Sequence, residues 1–115
     1  MIPKRYLFAE EMMSMRNGPP RANPPFEVYT NDRASFLTFE IGGEYLSLPL
    51  LTLGKASLRP NAVSIVLEFE NTVAQIDGKK LNELYEEILL GKVRVIRKGK
   101  GSETEIESIQ ISEGT

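Results

Sequence analysis

Two adjacent glycines, Gly42 and Gly43, lie between two segments that alternate apolar and polar residues, 35–41 and 44–50. Glycine readily adopts the positive φ angles of a two-residue hairpin turn, so this arrangement predicts an antiparallel hairpin whose register the turn determines. The predicted pairs are Ile41 with Glu44, Glu40 with Tyr45, Phe39 with Leu46, Thr38 with Ser47, and Leu37 with Leu48. One face of this hairpin is apolar. Pro49 has no N–H to donate, which predicts a strand end or a sheet edge there.

A second stretch, residues 62–69, also alternates, and Glu70 and Asn71 follow it as candidate turn residues. Alternation with a period of two is typical of a strand with one buried face. A second hairpin is the favoured interpretation. Its facing pairs are Phe69 with Thr72, Leu67 with Ala74, and Ile65 with Ile76. The alternative is a single long strand with a bulge at Asn71, and a shorter strand at 26–29 is predicted to precede both hairpins.

One amphipathic helix is predicted over residues 79–90, beginning at Lys79 and ending at Leu90. Asp77 is a candidate N-cap, and Gly91 is a candidate for the residue after the C-cap. The apolar positions follow the spacing of a helix that packs on a sheet. They are Leu81, Leu84, Tyr85, Ile88 and Leu89.

A last hairpin is predicted from Val93–Arg97 and residues 104–111, around a glycine-containing loop at 99–102. This register predicts cross-strand ion pairs of Lys98 with Glu103 and of Arg94 with Glu107. The order of elements predicts an α+β fold, with a mainly antiparallel sheet built of hairpins and one amphipathic helix packed on it.

Residues 1–25 are interpreted as an N-terminal arm with a proline-rich linker, and residues 26–115 as a single α+β domain. All four methionines lie in the first fifteen residues, and methionine adapts well to binding surfaces. We therefore expect the arm to dock on its own body or on a neighbouring subunit. The alternative is a frayed chain end without a role. The candidate partner-binding residues are Tyr6, Phe8, Met12, Met13 and Met15.

The chain contains neither cysteine nor histidine. Their absence excludes disulfides, the Ser-His and Cys-His nucleophilic systems and the usual zinc sites. We expect no metal, no cofactor and no catalytic residue. No apolar run approaches the length of a membrane span, and the expected location is the cytoplasm. The segment from Val63 to Leu90 resembles segments of small bacterial proteins, which favours a bacterial source.

A basic segment offers an alternative function, because it could present cations to phosphates. Its candidate nucleic-acid contacts are Arg94, Arg97, Lys98 and Lys100. Cross-strand ion pairs with glutamates explain the same residues, and the net charge of −2 does not favour a basic nucleic-acid binder. Glu68 and Glu70 could contribute to a hard-cation site, but a solvated strand face explains them better.

Three hypotheses follow for the function. The first is a non-catalytic binding or assembly module that acts through the arm and a sheet edge, as a homo-oligomer or with a protein partner. The second is a nucleic-acid-associated protein that uses the basic hairpin. The third is a small carboxylate-dependent enzyme, which would need a pocket with perturbed acids.

Overall fold

The computed structural model describes residues 24–30 and 32–113. Within these residues the chain forms nine strands and one α-helix. The strands are β1 (Phe26–Val28), β2 (Phe36–Ile41), β3 (Glu44–Pro49), β4 (Lys55–Leu58), β5 (Ser64–Glu68), β6 (Thr72–Lys79), β7 (Val93–Arg97), β8 (Gly99–Lys100) and β9 (Glu105–Glu113). The helix α1 spans Asn82–Leu89, and two short 3-10 turns span Leu50–Thr52 and Pro60–Ala62.

The strands form two sheets. The first has the order β1-β7-β2-β3, in which β7 runs antiparallel to β1 and parallel to β2. The second has the order β4-β5-β6-β9-β8 and is antiparallel throughout. The predicted α+β class, with a mainly antiparallel sheet and one packed helix, is confirmed.

The hairpin around Gly42 and Gly43 forms with the predicted register, from Ile41 opposite Glu44 to Leu37 opposite Leu48. Both glycines have positive φ angles, 59° and 85°, as a type I′ turn requires. The predicted position of Pro49 is also confirmed, because β3 is the last strand of its sheet.

The second predicted hairpin forms between β5 and β6. Ile65 lies opposite Ile76 and Leu67 opposite Ala74, as predicted. The alternative of one long strand with a bulge at Asn71 is wrong, because the chain reverses at that point.

The predicted start of the helix is wrong. Asp77 does not cap a helix but lies within β6, and Lys79 is the last residue of that strand because the ladder with β9 extends so far. Lys80 then adopts a positive φ of 54°, which ends the strand before α1 begins. The predicted end of the helix is correct: Gly91 has a φ of 73°, and its N–H donates to the carbonyl oxygen of Ile88 at 2.9 Å.

The last predicted hairpin is wrong, because β7 and β9 belong to different sheets. Strand β7 lies between β1 and β2, so neither of its edges is open to β9, and β9 pairs with β6 and the short β8. Neither predicted ion pair occurs among the described residues. Arg94 binds Glu27 on β1, and Glu107 lies 3.9 Å from Lys79.

The inner faces of both sheets and one side of α1 enclose a single core. Its buried members are Leu37, Phe39, Ile65, Leu67, Phe69, Ala74, Ile76, Leu81, Leu84, Ile88, Val93, Ile96 and Ile106. Tyr85 ties the helix to the second sheet, since its hydroxyl donates to the carbonyl oxygen of Ala56 at 3.2 Å. Within the described part of the chain, no helix has the length and apolar character needed to cross a bilayer.

Candidate functional site

The surface of the first sheet that faces away from the core carries polar and aromatic side chains. Leu37 and Phe39 are buried on the inner side of β2, so the residues between them face outward. We call this surface the outer face. It consists of Glu27, Phe36, Thr38, Glu40, Tyr45, Ser47, Arg94, Val95 and Arg97.

A register shift between β1 and β7 places Arg94 on the outer face. Glu27 pairs with Val95 and Val28 pairs with Val93, so Arg94 is an extra residue in β7. Such a bulge re-aims a side chain that regular alternation would send to the other face. Val93 belongs to the core, whereas Arg94 and Val95 line the same groove on the outer face.

Arg97 is the centre of an ion-pair network on this face. Its guanidinium donates to the Glu40 carboxylate and the Pro24 carbonyl oxygen, at 2.9 and 2.8 Å, and forms an ion pair of 2.9 Å with Glu27. Arg94 donates to the other oxygen of Glu27 at 2.7 Å. Burial acts to lower the pKa of Arg97, but its hydrogen bonds to both glutamates outweigh this effect and raise the pKa above its ordinary value. Its side chain is only 12% exposed, and its positive charge is already paired with Glu27 and Glu40.

A groove of about 650 Å³ lies on the outer face, between the sheet and the loop that follows β1. Its lining residues are Tyr29, Asp32, Arg33, Ser35, Phe36, Thr38, Tyr45, Arg94 and Val95. Phe36 and Tyr45 are 52% and 66% exposed, although both are large aromatic residues. The groove therefore combines aromatic surface with both signs of charge.

The free edge of β3 adjoins this groove. In a hairpin closed by a two-residue turn, hydrogen-bonded pairs alternate from the turn onward, so Glu44, Leu46 and Leu48 bond to β2. The N–H groups of Tyr45 and Ser47 then face the free edge. Natural edge strands are usually protected by charge, proline or a bulge. Between its end residues Glu44 and Pro49, β3 has no such protection.

A second polar cluster surrounds Asp77 on the outer side of the second sheet. Gln75 donates to both carboxylate oxygens, at 3.1 and 3.3 Å, and the hydroxyl of Ser108 donates at 3.3 Å. Burial acts to raise the pKa of Asp77, but these hydrogen bonds, the nearby Ser64 hydroxyl and the charge of Arg59 together lower it. Ser64 is opposite Asp77 in the ladder, and its buried hydroxyl makes no well-formed hydrogen bond to a described residue.

Asp77→Asn should reduce the loss of stability at acid pH. The folded-state pKa of Asp77 is lowered, so its stabilising contribution is present above the ordinary value of 3.8 and is lost as pH falls through the folded value. Because the group is largely solvated, we expect a contribution below about 1 kcal/mol. Urea unfolding at pH 7 and at pH 3 measures it. The variant should lose less stability between these pH values than the wild type, and Glu70→Gln, an exposed turn residue, should match the wild type.

The structure brings together only two of the four predicted nucleic-acid contacts. Arg94 and Arg97 share the outer face, whereas Lys98 lines a separate groove between the two sheets, and Lys100 is exposed on β8. The predicted partner-binding residues lie outside the described part of the chain. They are Tyr6, Phe8, Met12, Met13 and Met15.

The aromatic groove was not predicted. The hairpin register already placed Tyr45 on the outer side, and alternation along β2 places Phe36 there too. Tyr29 reaches the groove because its N–H donates to the carbonyl oxygen of Lys92, a contact that spans most of the chain. No local sequence signal indicates that contact.

Within residues 24–30 and 32–113, no group of three or more acidic side chains is arranged to hold a metal ion. No protein-family model, curated protein or solved structure matches the chain. We therefore argue function from the geometry of the described surfaces.

Proposed function

We propose that this protein is a non-catalytic assembly module whose β3 edge pairs with the β3 edge of a second copy. The observation that carries the proposal is the open, uncharged middle of this edge strand. Residues 26–115 form the body in this proposal, and residues 1–25 form an arm whose apolar residues add contacts to the assembly.

Among the four strands that end a sheet, β3 is the longest. It has six residues, whereas β1 has three and β8 has two. Strand β4 has four residues and begins with Lys55, a residue type that discourages edge pairing. An added strand would therefore gain a longer run of main-chain hydrogen bonds at β3 than at β1, β4 or β8.

The free donors define a preferred register for two antiparallel copies. Pairing Tyr45 with Ser47 of the second copy, and the reverse, uses both outward N–H groups and avoids Pro49. This register places Leu46 directly opposite Leu46 of the second copy. Glu44 then faces Leu48 rather than another glutamate, so the strands meet without like-charge repulsion.

A cysteine at position 46 should link two copies through a disulfide. The chain has no cysteine of its own, so Leu46→Cys introduces a single thiol. Facing residues of a non-hydrogen-bonded antiparallel pair have Cα atoms about 4.5 Å apart, within the range that a disulfide spans. We expect most of the variant to migrate as a dimer in non-reducing electrophoresis after mild oxidation.

Three variants control this experiment. Leu51→Cys places a thiol at a residue that is 99% exposed, and it reports dimers that arise from random collision. In the Leu46→Cys background, Ser47→Pro removes an edge donor and should prevent the link. Ser47→Ala loses the same hydroxyl bond to Thr38 but keeps the donor, and it should preserve the link. Dimer yields equal to that of Leu51→Cys would overturn the proposal.

The other two hypotheses have less support. Arg94 and Arg97 are held by Glu27 and Glu40, which weakens the case for nucleic-acid binding through them. The lowered pKa of Asp77 keeps this acid ionised at neutral pH, which disfavours it as a general acid.

A further inference from the structure

The groove on the outer face is lined by aromatic side chains together with polar and charged ones. Scattered exposed apolar residues are normal on proteins, but here Tyr29, Phe36 and Tyr45 all line one groove. Grooves lined by aromatic rings are the usual binding sites for extended proline-rich segments. Such segments lose little conformational entropy on binding, because proline already restricts them to the polyproline II conformation.

The chain itself contains a segment of this kind. Residues 17–25 include four prolines, in the sequence Asn-Gly-Pro-Pro-Arg-Ala-Asn-Pro-Pro. The structure describes this segment only from Pro24 onward. We call residues 17–23 the linker.

The described chain begins at one end of the outer face, beside Arg97, and Pro24 and Pro25 lie outside the residues that line the groove. The carbonyl oxygen of Pro24 accepts a hydrogen bond from the Arg97 guanidinium, and that of Pro25 accepts one from the Arg97 N–H. Arg97 is level with Glu40 on β2, and Glu40 is level with Tyr45 on β3. The linker therefore starts at the end of the outer face at which Tyr45 stands.

The linker is long enough to cross this face. A polyproline II segment extends about 3.1 Å per residue, so Pro19, five residues before Pro24, can reach about 15 Å from it. Three strand spacings of about 4.8 Å separate β1 from β3. Tyr45 lies two strand spacings from Arg97, and Phe36 lies one spacing from it and about 13 Å along β2 from Glu40, so Pro19 can reach either ring without help from a second copy.

Charge also favours contact between the two parts of the chain. Residues 1–23 hold four basic and two acidic side chains and so carry a net charge of +2, whereas the remainder carries −4. Asp32 lines the groove and forms no salt bridge with any described residue. Arg33 and Arg94 line the groove as well, so Arg21 of the linker finds a matching charge there only at Asp32.

We propose that this groove is a binding site for an extended proline-rich peptide, and that its occupant is the linker of the same chain. The linker lies across the outer face with its prolines against Phe36 and Tyr45. The inference does not rest on pairing at the β3 edge. An experiment can disprove linker binding without disproving edge pairing, and the reverse.

A spin label on the linker tests this proposal in the full chain. Asn17→Cys introduces the only thiol, to which a nitroxide is attached, and nuclear magnetic resonance reports broadening of aromatic ring signals. We expect at least fivefold stronger broadening at Phe36 and Tyr45 than at Tyr85, whose ring packs on the second sheet. Similar broadening at all three rings, or none, would overturn the proposal.

Three further measurements identify the occupant. Pro19→Gly with Pro20→Gly keeps the linker length but removes its stiffness, and it should abolish the preference for the groove rings. A mixture of spin-labelled chains without isotopes and isotope-labelled chains without the nitroxide, both carrying Ser47→Pro to block pairing at the β3 edge, should show no broadening. Broadening in that mixture would assign the groove to a second copy and overturn binding by the chain's own linker. Shifts of the groove rings on addition of an oligothymidylate, without any broadening by the linker label, would assign the groove to nucleic acid instead.

Discussion

Replacing Gly78 with alanine should destabilise the fold by about 3 kcal/mol or more. A Cβ at this position would overlap the carbonyl oxygen of Glu105 and lie 3.0 Å from the Cα of Ile106. Both are main-chain atoms of the neighbouring β9, so no side-chain rotation can relieve the overlap. Gly78 is buried at the point where the register of β6 and β9 shifts. The two strands would have to separate there, and their ladder is the most extensive in the molecule among the described residues.

Gly54→Ala is the matched control for this substitution. A Cβ on Gly54 would lie 3.8 Å from the carbonyl oxygen of Glu68, which is an ordinary contact. We expect a change within about 0.5 kcal/mol. Urea unfolding monitored by circular dichroism measures both variants against the wild type. Equal losses for the two variants would show that the close approach of β9 to Gly78 is not tightly maintained.

Arg97→Leu should lower the free energy of unfolding by about 2–3 kcal/mol. The substitution leaves the carboxylates of Glu27 and Glu40 together on the outer face without the cation between them. It also removes the side-chain bond to Pro24, where the described chain begins. The glutamate side chains are 32% and 28% exposed, so water compensates part of the loss and the value stays below that of a fully buried pair.

Two variants separate the role of Arg97 from that of charge alone. Arg97→Lys keeps the positive charge but cannot bond two carboxylates and a carbonyl oxygen at once, so its stability should lie between those of the wild type and Arg97→Leu. Arg94→Ala removes a more exposed partner of Glu27 and should cost less than about 1 kcal/mol. Equal losses for Arg97→Leu and Arg94→Ala in chemical denaturation would contradict a special role for the buried guanidinium.

The two confirmed hairpins could be predicted from the sequence because each joins neighbouring segments through a short turn. Gly42 and Gly43 determine one register, and the apolar alternation around Glu70 and Asn71 indicates the other. In both hairpins the turn and the apolar pattern agree, and together they exclude a slip of one residue, which would expose the core face.

The remaining pairings join segments that are distant in the sequence. Strand β7 was expected beside β9, yet β1 and β2 hold it. A segment such as Val93–Arg97 shows which of its faces is apolar, but not which strands it will lie between. Strand β4 was not predicted at all, because Lys55–Leu58 is too short to show alternation.

The candidate site also has one part that the sequence predicts and one part that it does not. The edge position of β3 followed from the missing donor of Pro49, which is a local property. Tyr29, Phe36 and Arg94 line the groove together. Tyr29 comes close to the other two residues only because β1 pairs with β7. The bulge that turns Arg94 outward leaves no trace in the pattern of its own strand.

The parallel pairing of β2 with β7 has a consequence for synthesis on the ribosome. The chain leaves the ribosome from its N-terminus, so β1, β2 and β3 emerge before any part of the second sheet. The strand that joins β1 to β2 emerges only after β6 and α1. The edge of β2 that pairs with β7 therefore stays without its partner until β7 emerges. A chaperone that shields unpaired strand edges would have its longest opportunity to bind in that interval.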